Sequence, residues 1–305
     1  MTSWPWATPD ATRRGLSARL RHFPASERSL RMYEVAFRRL LYRLELADPG
    51  RWMVKGGVAL LLRLDPNRTS DDIDLVYLDQ AGEFALAVRA LERAFAIDDG
   101  DFIGYALIER PSVTLDDDGR DTLGLGVQAT IGDRPWVRFD IDLSKPAENV
   151  PSEPLRARGT LTGLHPVDDL PELRALALPW QIAQKTCAIF ERHGVRHQPS
   201  TRPRDLADIA MIAMQVDGIV AADLATAVAV EQTRRIERGT LLAPLGTTLH
   251  LAPAHEADWR RRWSKATRHV DLSFDDALIG AQALLDPVLG GLARGTWSAT
   301  EQRWA

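Results

Sequence analysis

Asp72-Ile73-Asp74 places two carboxylates one residue apart in an apolar setting. Alternate residues of a strand face the same side, so Asp72 and Asp74 point together while Ile73 and Leu75 point into a core. Two adjacent carboxylates repel each other, and a hard cation that handles phosphates, Mg²⁺, is the natural compensation. Sixteen residues upstream, Gly56 and Gly57 follow an apolar stretch and precede a short helical one. Glycines there let the backbone approach a phosphate at a helix N-terminus. Ser70, two residues before Asp72, would share its face. Phosphorylation of Ser70 would add nearly two negative charges beside the carboxylate pair and exclude an anionic ligand there.

A second pair of carboxylates, Asp140 and Asp142, sits on one face of the strand-like segment WVRFDIDLS. Further on, Lys185 and Arg192 lie seven apart in IAQKTCAIFERHG, a spacing that puts both on one face of a helix. RPRDLADIAMI then places Asp205 and Asp208 three apart, again on one helical face. Gly124 and Gly126 fall inside a strand pattern and do not open a helix, so they form no dinucleotide fingerprint. Asp116-Asp117-Asp118 reads as a solvated turn.

The elements that would position these groups are legible in the periodicity. Residues 26–46 read as an amphipathic helix, with Ser26 as its N-cap and Asp48-Pro49-Gly50 as its stop. Strands are expected at 52–55, 72–78, 103–108, 122–131 and 135–143, with a hairpin turn at Gly132-Asp133. Short helices are expected at 58–64 and 82–96. Residues 144–178 read as a connecting region, and helices follow at 179–193, 203–215, 221–238 and 273–288. The expected organisation is an α+β chain: a mixed-sheet core with N-terminal helices over 1–150, then a mainly helical half over 151–305.

The string KGGVALLLRL…RTSDDIDL resembles the AbiEii/AbiGii-type nucleotidyltransferase toxins, which include the mycobacterial MenT enzymes and belong to the DNA-polymerase-β-like nucleotidyltransferases. The resemblance spans roughly residues 30–80, 135–145 and 180–215. It implies a Mg²⁺-dependent enzyme, with two ions, that attaches a nucleoside monophosphate from an NTP and releases pyrophosphate. Asp72 and Asp74 would hold the metals. A third carboxylate would come from Asp140 or Asp142; the resemblance favours Asp140, and the sequence alone does not choose. Lys185 would contact the triphosphate and Asp205 would orient it or hold the site. Lys55, Gly56, Gly57, Arg68, Ser70 and Arg192 complete the expected nucleotide-binding set, and the site would lie in a cleft completed by the helical half.

By the same resemblance the acceptor is RNA, the 3′ end of tRNA, which would inhibit translation, and the partner is a cognate antitoxin. Two other readings compete. One is transfer to a small hydroxylated molecule, as in antibiotic-modifying relatives; the other is a catalytically inactive binding partner. The net charge of −4 hides basic tracts. Residues 13–43 carry Arg13, Arg14, Arg19, Arg21, Arg28, Arg31, Arg38, Arg39 and Arg43 against Glu27 and Glu34. Residues 192–204 carry arginines and histidines without an acid, and residues 260–269 read RRRWSKATRH. Such tracts suit a polyanion. No run approaches the roughly 20 apolar residues that span a bilayer. The N-terminus lacks an apolar signal core, and Cys187, the single cysteine, has no internal partner, so a cytoplasmic protein with no membrane contact is expected. Cys187 is expected to be a buried thiol, and Trp259 and Trp263 to pack a core rather than stack on bases.

Overall fold

A computed structural model describes residues 4–64, 70–79, 82–108, 112–115, 121–146, 151–158, 161–194, 196–267 and 270–305. Arg68 and the Asp116-Asp117-Asp118 run lie outside the described residues. The chain forms two compact units, Met1–Leu176 and Ala177–Ala305.

The first unit opens with helices α1 (Pro9–Arg19) and α2 (Ala25–Ala47). Next come strand β1 (Trp52–Lys55), helix α3 (Gly56–Arg63), strand β2 (Asp72–Tyr77) and helix α4 (Phe84–Phe95). Strands β3 (Ile103–Leu107), β4 (Ser112–Leu115), β5 (Asp121–Ile131), β6 (Arg134–Ser144) and β7 (Ser152–Leu155) follow, then the single turn of α5 (His165–Asp168) and strand β8 (Leu173–Leu176). These strands join in one mixed sheet of order β3-β5-β6-β2-β1-β8-β7, with β4 beside β5. β2 runs parallel to β6 and β1 parallel to β8; the remaining pairs are antiparallel.

Alternation along β5 and β6 sends Leu123, Leu125, Val127, Ala129, Val137, Phe139, Ile141 and Leu143 into a core that α2 covers with Phe37, Leu40, Leu41 and Leu44. Phe37 and Phe139 meet edge to face, 5.0 Å between ring centroids. The opposite strand face therefore keeps Asp140, Asp142, Asp72 and Asp74 out of the core. The turn at Gly132-Asp133 joins β5 to β6 as expected, with Gly132 at φ 58°.

Several sequence expectations shift. α2 starts at Ala25 after Pro24, and no side chain caps it, so Ser26 is a first-turn residue and not the N-cap. The connecting region 144–178 contains β7 and β8, which extend the sheet from β1. That pairing carries the first unit to Leu176, beyond the division expected after residue 150. The short strands escaped notice because SEPL and LRAL are too brief to show a period of two.

The second unit is mainly helical: α6 (Leu178–Phe190), α7 (Pro203–Gln215), α8 (Ala221–Glu237), α9 (Pro253–Ala266) and α10 (Phe274–Leu289). It holds two small ribbons, β9 (Arg192–His193) with β10 (Gln198–Pro199) and β11 (Trp297–Ser298) with β12 (Arg303–Trp304). Trp259 and Trp263 on α9 are buried, as expected, and their indole N–H groups donate to the carbonyls of Ser200 and Leu272. Cys187 is buried on α6, and burial pushes its thiol up to about 12. Among the described residues, no helix is long and apolar enough to cross a membrane.

Candidate active site

The β1–α3–β2 corner holds the first group of expected residues together. Lys55 ends β1 directly opposite Asp74 in the antiparallel register, and it is buried. Residues directly opposed in this way point to the same face. The chain then turns into α3 at Gly56, whose φ is 58°. A Cβ at this position would overlap Asp74 Oδ2 and stand 2.6 Å from Asp74 Cγ. Gly56 therefore answers two demands at once, a left-handed backbone and an absent side chain. Gly57 is the second residue of the same helix, and it is half-buried.

On β2, Ile73 and Leu75 are fully buried, while Asp72 is exposed and Asp74 half-buried. The strand face is thus the one that the alternation requires. Ser70 lies just before the strand, almost fully buried, and its hydroxyl donates to Asp72 Oδ1 at 2.8 Å. It holds one oxygen of Asp72.

The parallel pairing of β2 with β6 aligns Asp72 with Asp140 and Asp74 with Asp142. Four carboxylates therefore form a two-by-two array across two neighbouring strands. Both candidates for the third carboxylate adjoin the pair: Asp140 is exposed beside Asp72, and Asp142 is half-buried beside Asp74. Arg138 is exposed on the same face, two residues before Asp140. Opposite Asp142 and Asp140 on β5 stand Gly124 and Gly126, which present no side chain beside the acids.

The donor set is all oxygen and anionic, which suits a hard cation such as Mg²⁺ and not a thiophilic metal. Among the described residues no group of three or more His, Cys, Asp or Glu side chains converges tightly enough to hold a metal by itself. Mg²⁺ commonly takes one or two carboxylates and completes its octahedron with substrate phosphates and water.

In the second unit, Lys185 on α6 lies 2.8 Å from Asp205 Oδ1 and 2.7 Å from Asp208 Oδ2 on α7. Both carboxylates are buried, Asp208 completely. Arg202 Nε adds a contact to Asp205 Oδ2 at 3.3 Å. The expected link between Asp205 and Lys185 is present, and Asp208 clamps the ammonium equally. The three-residue spacing was the signal for Asp208, since i and i+3 share a helix face.

Arg192 departs from the expectation. α6 ends at Phe190, Glu191 turns extended, and Arg192 belongs to β9. It does not share a helix face with Lys185. Glu191 is buried against Arg235 of α8, an ion pair that sequence spacing could not show.

Most of the basic tract of α2 is also not a surface; of its arginines Arg28 alone is exposed. Arg31 and Arg38 pair with Glu34 inside the fold, and Arg39 and Arg43 pair with Asp99 and Asp101 ahead of β3. All four arginines are buried. On α9, Arg260 pairs with Glu256 and Asp275, and Arg261 and Arg262 both pair with Asp258.

The family model of the AbiEii nucleotidyl transferase toxin of type IV toxin–antitoxin systems matches residues 39–285. Among solved structures, the chain is similar to MenT4, a nucleotidyltransferase toxin from Mycobacterium tuberculosis H37Rv. The identity is 19%, the TM-score 0.54, and the match covers 94% of this chain and 99% of that one. It also matches JHP933 from Helicobacter pylori at 15% identity and a TM-score of 0.45, over 87% of this chain and 94% of the other. No curated protein matches the chain.

Proposed function

Because the chain belongs to the AbiEii nucleotidyltransferase toxin family of type IV toxin–antitoxin systems, we propose that it transfers a nucleoside monophosphate from an NTP to an RNA, the 3′ end of tRNA, and so inhibits translation. The observation that carries this reading is the carboxylate array of β2 and β6 beside the glycine corner of α3.

In the proposed reaction an acceptor hydroxyl attacks the α-phosphorus of the NTP. A new P–O bond forms to the acceptor, the bond to the β-phosphate oxygen breaks, and pyrophosphate leaves. Asp72 and Asp74 would hold Mg²⁺, which supplies charge neutralisation to the triphosphate and the leaving group. Asp140 or Asp142 accepts the proton of the attacking hydroxyl, as a carboxylate within reach of the reacting oxygen can. Gly56 and Gly57 let phosphate oxygens approach the first N–H groups of α3. Lys55 and Arg68 neutralise phosphate charge; by the family resemblance Lys185, which contacts Asp205 and Asp208 in the second unit, is a further phosphate-binding lysine. Positioning and charge stabilisation supply most of the acceleration in such transfers.

The proposed substrates, NTP and tRNA, suit a cytoplasmic reaction, and a type IV toxin–antitoxin family implies a cognate antitoxin as partner. Incubation with each labelled NTP and total cellular RNA, followed by gel separation, tests the reading. Label is expected in the tRNA band, dependent on Mg²⁺ and on Asp72. Label in no RNA, or in a small hydroxylated compound instead, would overturn the RNA acceptor.

A further inference from the structure

Of the three basic tracts visible in the sequence, the fold consumes most of two. Arg31, Arg38, Arg39 and Arg43 of α2 are buried in ion pairs, and the α9 arginines are each answered by a neighbouring acid. At the N-terminus, Arg19 and Arg28 donate to the carbonyls of Gly163, Phe23 and Arg21. Arg14 and Arg21 are exposed as well. Residues 192–204 contain no acid. His193, Arg196, His197 and Arg204 are exposed, and among the described residues neither Arg196 nor Arg204 has an ion-pair partner.

We propose that the β9–β10 ribbon and the first turn of α7 form the surface that holds the sugar–phosphate backbone of an RNA, through His193, Arg196, His197 and Arg204. The proposal rests on the RNA-acceptor reading above and names where that acceptor is gripped.

Three features favour a nucleic acid over a protein partner. First, among the described residues the ribbon presents no large exposed apolar side chain, and the exposed apolar residues of this unit, such as Leu242, Ile279 and Leu292, lie elsewhere in the chain. Protein interfaces are anchored by buried aromatic or apolar groups, whereas backbone recognition of nucleic acid is carried by cations. Second, β10 contains Pro199, which has no N–H to offer an added strand. Third, Arg204 sits in the first turn of α7, where the partial positive charge of the helix end disfavours a cation. That surplus charge costs the free protein stability, and an anionic ligand would recover it.

The ribbon also leads into the lysine clamp within the same unit. Arg202, at the base of the ribbon, contacts Asp205, and Asp205 contacts Lys185. A polyanion lying along the ribbon would thus reach the neighbourhood of the proposed phosphate-binding lysine without leaving the second unit.

The test uses the full chain and a fluorescently labelled tRNA, with affinity read by anisotropy over a series of salt concentrations and without NTP. Arg196→Glu with Arg204→Glu is expected to weaken binding at least tenfold. The slope of log affinity against log salt should become shallower by about two, since each phosphate contact contributes roughly one. Arg196→Gln with Arg204→Gln should fall between, and the thermal midpoint should not change. Arg260→Glu with Arg261→Glu and Arg14→Glu with Arg21→Glu serve as comparison surfaces and should lose less than threefold.

Unchanged affinity and slope in the ribbon variant would overturn the proposal. So would a loss confined to the Arg14 and Arg21 variant, or a ribbon variant that keeps RNA but no longer binds the antitoxin. Because binding is read without NTP, the result stands apart from whether any RNA is found to accept a nucleotide.

Discussion

The space that Gly56 leaves empty is occupied by the carboxylate of Asp74: a Cβ at residue 56 would overlap Oδ2 and stand 2.6 Å from Cγ. The glycine corner and the acidic strand are therefore one steric unit. Gly56→Ala should displace Asp74 and force an L side chain into a left-handed backbone at φ 58°. The backbone term alone costs about 1–2 kcal/mol. Nucleotidyl transfer should fall at least a hundredfold and the thermal midpoint by several degrees. A variant that transfers nucleotide at the wild-type rate would show that Asp74 need not stay where it is.

Asp72→Ala and Asp74→Ala should each abolish transfer and leave the fold intact. Both acids belong to a four-carboxylate face, so removing one relieves repulsion. Thermal denaturation without metal should show Asp72→Ala losing no more than Ser70→Ala, since both break the same hydrogen bond, and the stabilisation that Mg²⁺ plus NTP gives the wild type should disappear in both variants. Retained nucleotide-dependent stabilisation in both variants would contradict their assignment as metal ligands.

Ser70 donates to Asp72 Oδ1 and is almost fully buried. Ser70→Ala should cost a neutral-to-charged hydrogen bond, about 1.5–3 kcal/mol at most, and lower transfer about tenfold by loosening Asp72. A phosphoryl group on Ser70 would remove that bond and set a dianion beside the acids, so modified protein should be inactive. Burial means that a kinase acts only after the Ser70 segment opens. Mass spectrometry of the protein co-expressed with its antitoxin, paired with a transfer assay, checks this; full activity with Ser70 stoichiometrically phosphorylated would refute it.

Lys185 is clamped between two buried carboxylates, so Lys185→Ala leaves both unpaired. Breaking a buried ion pair costs about 3–5 kcal/mol. Activity lost in that variant could therefore reflect unfolding alone. Lys185→Met combined with Asp208→Asn should recover the thermal midpoint and still lack transfer. If the stable double variant is fully active, the clamp is architectural.

Arg43 contacts both Asp99 and Asp101, at 2.8 Å and 2.7 Å, from a buried position. Arg43→Glu should unfold the first unit, because it places a third buried acid against two others. Circular dichroism and the soluble yield report this directly. A folded Arg43→Glu protein with weakened RNA binding would instead return α2 to the surface role that its composition suggests.

What the sequence determined by itself is local. The period of two along DIDL fixed which side of β2 Asp72 and Asp74 occupy, and the period of 3.6 along α2 fixed its buried leucines. The strand–glycine–helix–acid string was specific enough to identify the family, because each piece reads out within a few residues. The tertiary structure decided what depends on partners far along the chain. The register of β2 against β6 aligns Asp72 with Asp140 across 68 residues, and no local period encodes which strand lies beside which. The arginines of α2 look alike in sequence whether solvated or buried; Asp99 and Asp101, more than fifty residues later, turn Arg39 and Arg43 into core. Arg192 lies beyond the end of its expected helix, next to Glu191, which is buried against Arg235 on α8. A side chain's charge is written in the sequence, but whether it meets water or an opposite charge is set by contacts between segments that the fold brings together.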